Sequence, residues 1–538
     1  MPSASYQAFE PLRVPIFRRF WFSSMASNFG GLIQTVAAAW MMTALTGNAE
    51  MVALVQTCAT LPMMLISLPA GALADIYERR NIMLVAQLTM LLVASVLTGL
   101  TLAEITTPIV LLAATFLIAA GTALHAPAWQ ASMYDQVPRE ALESAASLNS
   151  MGFNMARSLG PATGGLLVAA FGVAAAFAVN AVSYLGLIAT LLTWKRPPRE
   201  RLLPPEGVGQ AIMAGIRFVS LSPALIAVLV RAGTFGLCGS GIWALTAILA
   251  RDALDGGPAV FGLLLGGFGA GAVVGAILRA AIPMTRERLT KTCTFAFGTS
   301  AILLGLSHHL ALSILLMAVA GGAWVMVLTG LSVTVQFIAP RWVVGRAIAI
   351  NQISIFAGMA FGSWFWGFVA NALNVELAFI ASGVAMLASL MLAFVFPLTT
   401  DEAPDLTPAR SQPIDDLQGP VGANDGPIVV TIEYRVRPAN FRAFVVAMED
   451  LGRIRRRNGA HRWTLHQDMD DPTRWVERFH SLTWIDHLRR QTRHTLADQT
   501  VHDRVAALRE EPLVVNRMLE RRISTALIAP PIDRMPEI

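Results

Sequence analysis

A series of apolar segments, each long enough to cross a bilayer, occupies residues 20–397. A transmembrane helix needs about 20 predominantly apolar residues. Twelve such segments follow one another, six on each side of a polar break at 195–222. They are 20–45, 51–74, 81–102, 108–131, 142–170, 173–194, 223–250, 258–282, 290–307, 310–338, 345–370 and 375–397. The sequence therefore predicts an all-α membrane domain of twelve transmembrane helices in two six-helix halves.

The composition agrees with a large membrane domain and a smaller soluble part. Of the 538 residues, 55% are hydrophobic and 14% are charged, with a mean hydropathy of +0.56. Soluble domains carry about 25% charged residues, and only the chain after Pro397 has that character. The three cysteines lie inside apolar segments, at spacings that match neither a metal site nor a disulfide framework. We expect no metal and no cofactor, and the lack of a Walker-type phosphate loop argues against ATP-driven transport.

Basic residues are distributed unequally between alternate loops. Loops after odd-numbered segments contain essentially one, Arg251, whereas the other loops contain many. The latter are Arg79, Arg80, Arg139, Lys195, Arg196, Arg199, Arg201, Arg286, Arg288, Lys291 and Arg341. Because positive charge stays on the cytoplasmic side, we expect a multi-pass protein of the bacterial inner membrane with both termini cytoplasmic. The net charge of +5 belongs to these loops and the tail, and does not indicate a nucleic-acid partner.

The polar parts of the chain complete the domain organisation. We expect a cytoplasmic segment at 1–19 without a signal-peptide cleavage site, halves at 20–194 and 223–397, and a linker with an interfacial helix at 195–222. A proline-rich linker at 398–427, a soluble domain at 428–523 and a tail at 524–538 follow. Alternating apolar residues at 428–436 predict a strand, and helical spacing from Phe441 predicts a helix. The predicted order β-α-β-β-α-β, with one extra helix, indicates an α+β ferredoxin-like domain.

Two sequence motifs in the membrane domain indicate how its helices move and pack. Between segments two and three, Gly71 would allow close helix approach, Asp75 could meet a helix N-terminus or an arginine, and Arg79 and Arg80 would anchor the loop at the anionic inner surface.

The second motif is Gly160-Pro161-Ala162-Thr163-Gly164-Gly165 in segment five. Pro161 cannot donate to the carbonyl of Arg157, so the helix is expected to bend there. The glycines of the motif would form a flat face. Segment eight has glycines at four-residue spacings, including Gly267 and Gly271, and is the expected sliding partner.

Ionisable residues at mid-membrane are functional candidates by default. Here they are Arg157, Arg231 and His125, with no acidic residue at that depth. The translocation path is therefore expected to be neutral to positive and to suit anionic or neutral amphiphiles. Hydrogen-bonding and stacking candidates along the path are Asn28, Gln34, Gln56, Asn154, Asn351 and Trp243. Helix-helix hydrogen bonding is the open alternative for each, and Asp75 and His125 are the candidates for proton coupling.

These motifs resemble those of the major facilitator superfamily, although Glu78 replaces the usual glycine before the basic pair and Ile76 the usual basic residue after the aspartate. The glycine-proline motif marks exporters in that superfamily. The stretch from Leu142 to Pro161 resembles the enterobactin-exporter-like branch, the transmembrane secretion effectors. The resemblance implies proton-coupled secondary export of a siderophore, drug or other small molecule by alternating access.

The C-terminal domain resembles the antibiotic-biosynthesis monooxygenases through its element order and Trp475, Glu477, Phe479 and Trp484. That resemblance implies a homodimer, because the sheets of two copies pack together in that group. Six histidines here match no metal spacing, and no catalytic set is assignable, so we expect a transporter and not an enzyme. The alternative is a bifunctional protein whose C-terminal domain is a cofactor-independent monooxygenase or a ligand sensor for the exported compound. A membrane receptor without transport is disfavoured by the glycine-proline motif.

Overall fold

The computed structural model describes residues 9–138, 141–194, 208–281, 284–340, 342–398, 405–407, 421–422 and 424–521. The chain divides into two compact units. The first contains Met1–Val208, Ile226–Val335 and Ile348–Asp401, and the second contains Gly209–Leu225, Gln336–Ala347 and Glu402–Ile538. Most of the predicted proline-rich linker and the tail at 524–538 lie outside the described residues.

Long helices make up the first unit. In chain order the helices up to residue 388 are α1 Pro15–Leu45, α2 Ala49–Ile76, α3 Arg79–Leu102, α4 Pro108–Ser132, α5 Leu142–Thr193, α6 Val208–Ser220, α7 Pro223–Ile248, α8 Pro258–Ala281, α9 Arg286–Gly305, α10 Leu310–Ile338, α11 Val344–Ala372 and α12 Val375–Ala388. Of these, α6 lies almost wholly in the second unit. N-cap side chains fix where some of these helices begin. Asn48 accepts a hydrogen bond from the N–H of Glu50 at the start of α2, and Asn374 accepts one from the N–H of Leu377 at the start of α12.

Nine helices within the described ranges are long and apolar enough to cross a membrane. Helices α1 and α9, which correspond to predicted segments one and nine, are not among the nine. The fifth and sixth predicted segments fall in the single element α5, whose 52 residues bend at Gly172. Gly172 has φ of +81°, a conformation that glycine adopts at little cost. The count of twelve spans thus stays a prediction.

The C-terminal part of the second unit is an antiparallel sheet with helices. It contains β1 Ile428–Arg435, α13 Phe441–Asn458, β2 His461–Gln467, β3 Arg474–Ser481, α14 Trp484–Thr492, α15 Leu496–Leu508 and β4 Val514–Leu519. The strand order is β2-β3-β1-β4, and every neighbouring pair is antiparallel.

One face of this sheet carries the core. The register pairs Val430 with Phe479 and Ile432 with Glu477, so these four side chains share a face. Phe444, Met448 and Leu451 of α13 belong to the same buried cluster. Their spacing along α13 forms the apolar stripe that a surface helix turns toward a core.

Helix α6 packs within the second unit through Phe218. Its ring is buried and lies 5.4 Å from the ring of Trp342, edge to face. The Arg457 guanidinium of α13 lies 5.1 Å from the Phe218 ring centre. The Phe218 ring is therefore packed against protein, and the placement of this helix at the membrane interface stays a prediction.

Candidate functional site

Helices α5 and α8 join the two halves of the first unit by direct backbone contact. A Cβ atom added to Gly262 would lie 2.7 Å from the Cα atom of Gly165. Farther along, a Cβ on Gly266 would lie 3.0 Å from the Cβ of Ala162, and one on Gly269 would lie 2.6 Å from the Cα of Ser158. Approach this close requires residues without bulky side chains. The predicted contact between segments five and eight is therefore present.

The glycines that form the contact differ in part from those predicted. A Cβ on Gly164 would lie 3.0 Å from the Cα of Ile33, and one on Gly160 would lie 2.9 Å from the Cβ of Leu32, both in α1. Gly267 and Gly271 face Ile314 and Ala318 of α10. Successive helical residues are rotated by about 100°, so neighbours such as 164 and 165 serve different helices. The prediction that Gly164, Gly267 and Gly271 belong to the α5–α8 contact was wrong, because their nearest neighbours are residues of α1 and α10.

The bend predicted at Pro161 stays a prediction, because the departure from helical dihedral angles in α5 is at Gly172, between the fifth and sixth predicted segments. The backbone of α5 remains helical at Pro161. The carbonyl oxygen of Pro161 instead lies 3.1 Å from the Cβ position of Gly262, which makes Pro161 part of the contact with α8.

Arg157 and Trp243, two predicted path residues from different halves, lie together beside this contact. The Cζ atom of Arg157 in α5 is 5.9 Å from the ring centre of Trp243 in α7, a cation–π distance. No ion pair to Arg157 is found among the described residues. Trp243 belongs to an aromatic cluster of Phe235, Trp243, Phe268, Phe297 and Trp324, whose neighbouring ring centres are 4.7–6.4 Å apart.

Arg231 has an acidic partner, contrary to the expectation that none was available. Its Nη1 lies 2.6 Å from Oε2 of Glu287, and the Arg231 side chain is 7% exposed. Glu287 also accepts from the N–H of Leu398 at 3.0 Å and lies 3.1 Å from Nζ of Lys291. The sequence estimate began segment nine at residue 290, whereas α9 begins at Arg286 and carries Glu287 in its first turn. Arg231 is therefore neutralised within the protein.

Gln34 and Asn351, two other predicted path residues, form hydrogen bonds with other side chains. Gln34 of α1 accepts a hydrogen bond from Asn180 of α5, which also bonds Tyr184 at 3.0 Å. Asn351 donates to Ser332 at 3.4 Å, and its buried Oδ1 has no partner in the described structure. Asn28 and Gln56 are half-buried, and the side chain of Asn154 lies outside the described residues.

The basic pair of the loop motif is held by protein groups. Arg79 Nη1 lies 3.3 Å from Asp135 Oδ2. Arg80 donates to the carbonyls of Leu191 at 2.8 Å and Leu192 at 3.0 Å, in the last turn of α5. The last carbonyls of a helix lack intrahelical donors, and Arg80 supplies hydrogen-bond donors to two of them.

The remaining candidates are Gly71 of the loop motif and the two proton-coupling residues, Asp75 and His125. No described atom lies within 4 Å of a Cβ added to Gly71, so the predicted close helix approach at Gly71 is absent there. The side chain of Asp75 is outside the described residues. The His125 ring stacks on Trp129 at 6.0 Å, and its Nε2 has no hydrogen-bond partner in the part of the chain that the structure covers.

The two halves are also joined towards one end of the bundle, by hydrogen bonds that the sequence did not predict. Arg251 Nη1 donates to the carbonyl of Thr43 at 2.5 Å, and Thr57 donates to that of Ala360 at 3.1 Å. The indole of Trp364 donates to Glu50 at 3.2 Å. The one available sequence signal was that Arg251 is essentially the only basic residue in the loops after odd-numbered segments.

Comparison with known proteins identifies the family to which this chain belongs. A family model described as transmembrane secretion effector matches residues 6–524. The multidrug efflux pump Tap of Mycolicibacterium fortuitum is 24% identical over 392 residues, or 70% of this chain and 94% of the relative. The staphyloferrin A transporter of Staphylococcus aureus is 29% identical over 174 residues, or 32% of this chain and 43% of the relative.

Solved structures agree at the level of fold. A bacterial homologue of the human lysosomal transporter Spinster matches with a TM-score of 0.55 and 15% identity, over 72% of this chain and 95% of its own. The POT family transporter PepTSo matches with a TM-score of 0.57 and 15% identity, over 71% of this chain and 97% of its own. The chain belongs to the transmembrane secretion effector family of the major facilitator superfamily, and it is a membrane transporter of the efflux or secretion type and not an enzyme.

Proposed function

We propose that the protein exports a small anionic or neutral amphiphile, such as a siderophore, drug or secondary metabolite, by proton-coupled alternating access. The observation that carries the proposal is the Arg157 guanidinium against the Trp243 ring, where α5, α7 and α8 meet. A cation without an acidic partner in the described residues attracts a substrate anion, and the aromatic cluster offers an apolar surface. The relatives named above include a drug efflux pump and a siderophore transporter.

The direction of transport rests on the orientation proposed from the loop charges. With both termini in the cytoplasm, the end that bears Arg251 and Glu50 faces the periplasm. The hydrogen bonds at that end join the two halves, which supports entry of the substrate from the cytoplasm. Movement of α5 on α8 would then open the periplasmic side.

Proton coupling has one supporting observation. The Nε2 atom of His125 is buried without a partner in the described residues, so this ring nitrogen is the described candidate for the proton-binding group. Asp75 is the second candidate for the proton-binding group, on sequence grounds alone.

For the C-terminal domain we propose a ferredoxin-like accessory module that can dimerise. The strand order β2-β3-β1-β4 and the element order support the fold. Val514 and Met518 of β4 are half exposed and offer apolar surface for a second copy. The alternative, a sensor or monooxygenase for the exported compound, requires a ligand cavity in this domain, and the domain contains one.

The test compares export of a fluorescent carboxylate with export of its neutral amide from energised cells. Arg157→Gln should reduce carboxylate export by about tenfold, since a charge-assisted hydrogen bond of roughly 1.5–3 kcal/mol is lost, and should affect the amide less. Arg157→Lys should retain much of the activity. An uncoupler should stop export by the wild type. Equal losses for both substrates would contradict the anion pathway, and uncoupler-resistant export would contradict proton coupling.

A further inference from the structure

A cavity of about 370 Å³ lies inside the C-terminal domain, between the core face of the sheet and helices α13, α14 and α15. Its size falls in the range of small-molecule sites, about 300–1,000 Å³. Apolar side chains form much of its wall: Val430, Ile432, Leu451, Phe479, Val505 and Val515. The cavity is built within one domain and is separate from the Arg157–Trp243 site.

One buried charge pair of this domain is already compensated. Glu477 is fully buried and accepts hydrogen bonds from Arg455 Nε at 3.2 Å, Trp463 Nε1 at 2.8 Å and the Tyr434 hydroxyl at 2.8 Å. Burial alone would raise the pKa of Glu477, but Arg455 and these hydrogen bonds hold it below its usual value. The charges of Arg455 and Glu477 therefore cancel.

Arg490 is a second buried cation that lines the cavity, and it has no ion pair among the described residues. The residue is 4% exposed, and its Cζ lies 4.4 Å from the ring centre of Phe479. Its Nη2 contacts Nδ1 of His487 at 3.4 Å, while its buried Nε has no partner among the described residues. Burial, with Arg455 nearby, lowers the pKa of Arg490 to about 9, so it remains mostly protonated at neutral pH. An unpaired buried charge is costly unless a ligand pairs with it.

The histidines that line the cavity are uncharged and able to form hydrogen bonds. Burial, reinforced by neighbouring arginines, lowers the pKa of His487, His494 and His502 to about 3. The buried Nε2 of His502 has no partner in the described domain. A search of the described residues finds no group of three or more potential metal ligands, so a metal site is not indicated.

The remaining charges at the cavity are mostly positive. Arg509 and Arg517 line it, and the one acidic lining residue in the described set, Asp503, is exposed and accepts from Gln499 at 2.9 Å. The cavity thus combines a positive field, an unpaired buried guanidinium and an aromatic wall.

We propose that this cavity binds a small organic anion, an aromatic carboxylate, with its carboxylate on Arg490 and its ring against Phe479 and the apolar wall. Guanidinium and carboxylate match in geometry and charge, and the apolar walls favour an organic anion over an inorganic one. This inference stands independently of what the membrane domain transports.

The experiment is equilibrium dialysis of 2-naphthoate against the purified full-length protein in detergent, with empty micelles as the background. The neutral isostere 2-naphthamide and inorganic phosphate are run in parallel. Naphthoate should bind at least about tenfold more tightly than either, because only naphthoate supplies both the charge and the ring. Naphthoate that fails to bind, or naphthamide that binds equally well, would overturn the proposal.

Variants locate the site within the chain. Arg490→Gln should weaken naphthoate binding about tenfold or more, whereas Arg504→Gln, an exposed residue of α15 that contacts Asp450 outside the cavity, should not change it. Because Arg490→Gln could unfold the domain, Ala506→Trp provides a second test: it fills the cavity from an exposed lining position and should also abolish binding. Full binding by both Arg490→Gln and Ala506→Trp, or loss caused by Arg157→Gln alone, would refute the site.

Discussion

The Cα atom of Gly165 lies 2.7 Å from the position that a Cβ atom would take on Gly262, so α5 and α8 touch backbone to backbone. The contact joins the two halves of the membrane domain, whose relative movement is the basis of alternating access. It lies beside Arg157, since a Cβ on Gly269 would be 3.0 Å from the carbonyl oxygen of that residue. The α5–α8 contact and the proposed substrate site at Arg157 are thus adjacent, so a movement of α5 on α8 would also move Arg157.

Gly262→Leu should abolish export while the protein remains in the membrane. A leucine side chain has no space at this position, and overpacking a well-packed interface costs about 1–3 kcal/mol or more. Export and membrane abundance are measured together in cells. Gly99→Leu is the matched control, because no described atom lies within 4 Å of its Cβ position. Normal export by Gly262→Leu would contradict a role for the α5–α8 contact.

Removing Glu287 should destabilise the protein more than removing Arg231. Breaking a buried ion pair from one side costs about 3–5 kcal/mol, but Glu287 keeps Lys291 and the Leu398 N–H when Arg231 is lost. Thermal stability in detergent should therefore fall in the order wild type, Arg231→Met, Glu287→Met. The double variant should be more stable than the sum of the single losses predicts. Strictly additive losses would show that the two residues do not interact.

The C-terminal domain should be held to the loop before α11 by a cation–π contact and to α6 by a hydrogen bond. The Arg493 guanidinium lies 4.3 Å from the Trp342 ring centre, and Arg217 Nη1 lies 3.0 Å from His461 Nε2. In a background without native cysteines, Arg217→Cys and His461→Cys should be joined efficiently by a short thiol crosslinker. Trp342→Ala should lower the yield several-fold, because a desolvated cation–π contact is worth about 2 kcal/mol.

The control for this crosslink places the second cysteine at His466, an exposed position of the same strand. Crosslinking as efficient at 466 as at 461 would mean that the strand is not held against α6. An unchanged yield in Trp342→Ala would show that Arg493 and Trp342 add nothing to the attachment.

The C-terminal domain should lose stability as the pH falls from about 6.5 towards 5. The pKa values of His487, His494 and His502 are lowered to about 3 in the folded domain. Below about pH 6.5 the unfolded chain takes up protons that the folded domain does not, so each histidine removes about 1 kcal/mol of stability per pH unit. Hydrogen exchange in α14 and α15 of the full-length protein, corrected for the intrinsic pH dependence of exchange, measures this loss.

Replacing His502 by Gln should reduce the loss of stability with falling pH by about 1 kcal/mol per pH unit, the contribution of one histidine. Stability that stays constant between pH 7 and pH 5, or falls equally in His502→Gln, would contradict the assignment of neutral buried histidines.

Local sequence patterns determined the membrane domain and the elements of the C-terminal domain. Continuous apolar runs predict spans, and the alternation of Val430, Ile432 and Tyr434 predicts a strand, because each pattern follows from backbone geometry over a few residues. The glycine-proline motif similarly indicated a helix that packs closely, and the family match agrees with the transporter assignment.

The partners of individual residues were decided only by the tertiary structure. Gly164 and Gly165 are neighbours in the chain, but they face α1 and α8, because the rotation of α5 about its axis depends on all the helices around it. Arg231 meets Glu287, 56 residues away, because α9 starts a turn earlier than its hydropathy indicates. Among the described residues Arg490 has no carboxylate partner, and Glu477 of β3 is bound to Arg455 instead. Such pairings depend on three-dimensional proximity between distant segments, and a single sequence carries no local signal for them.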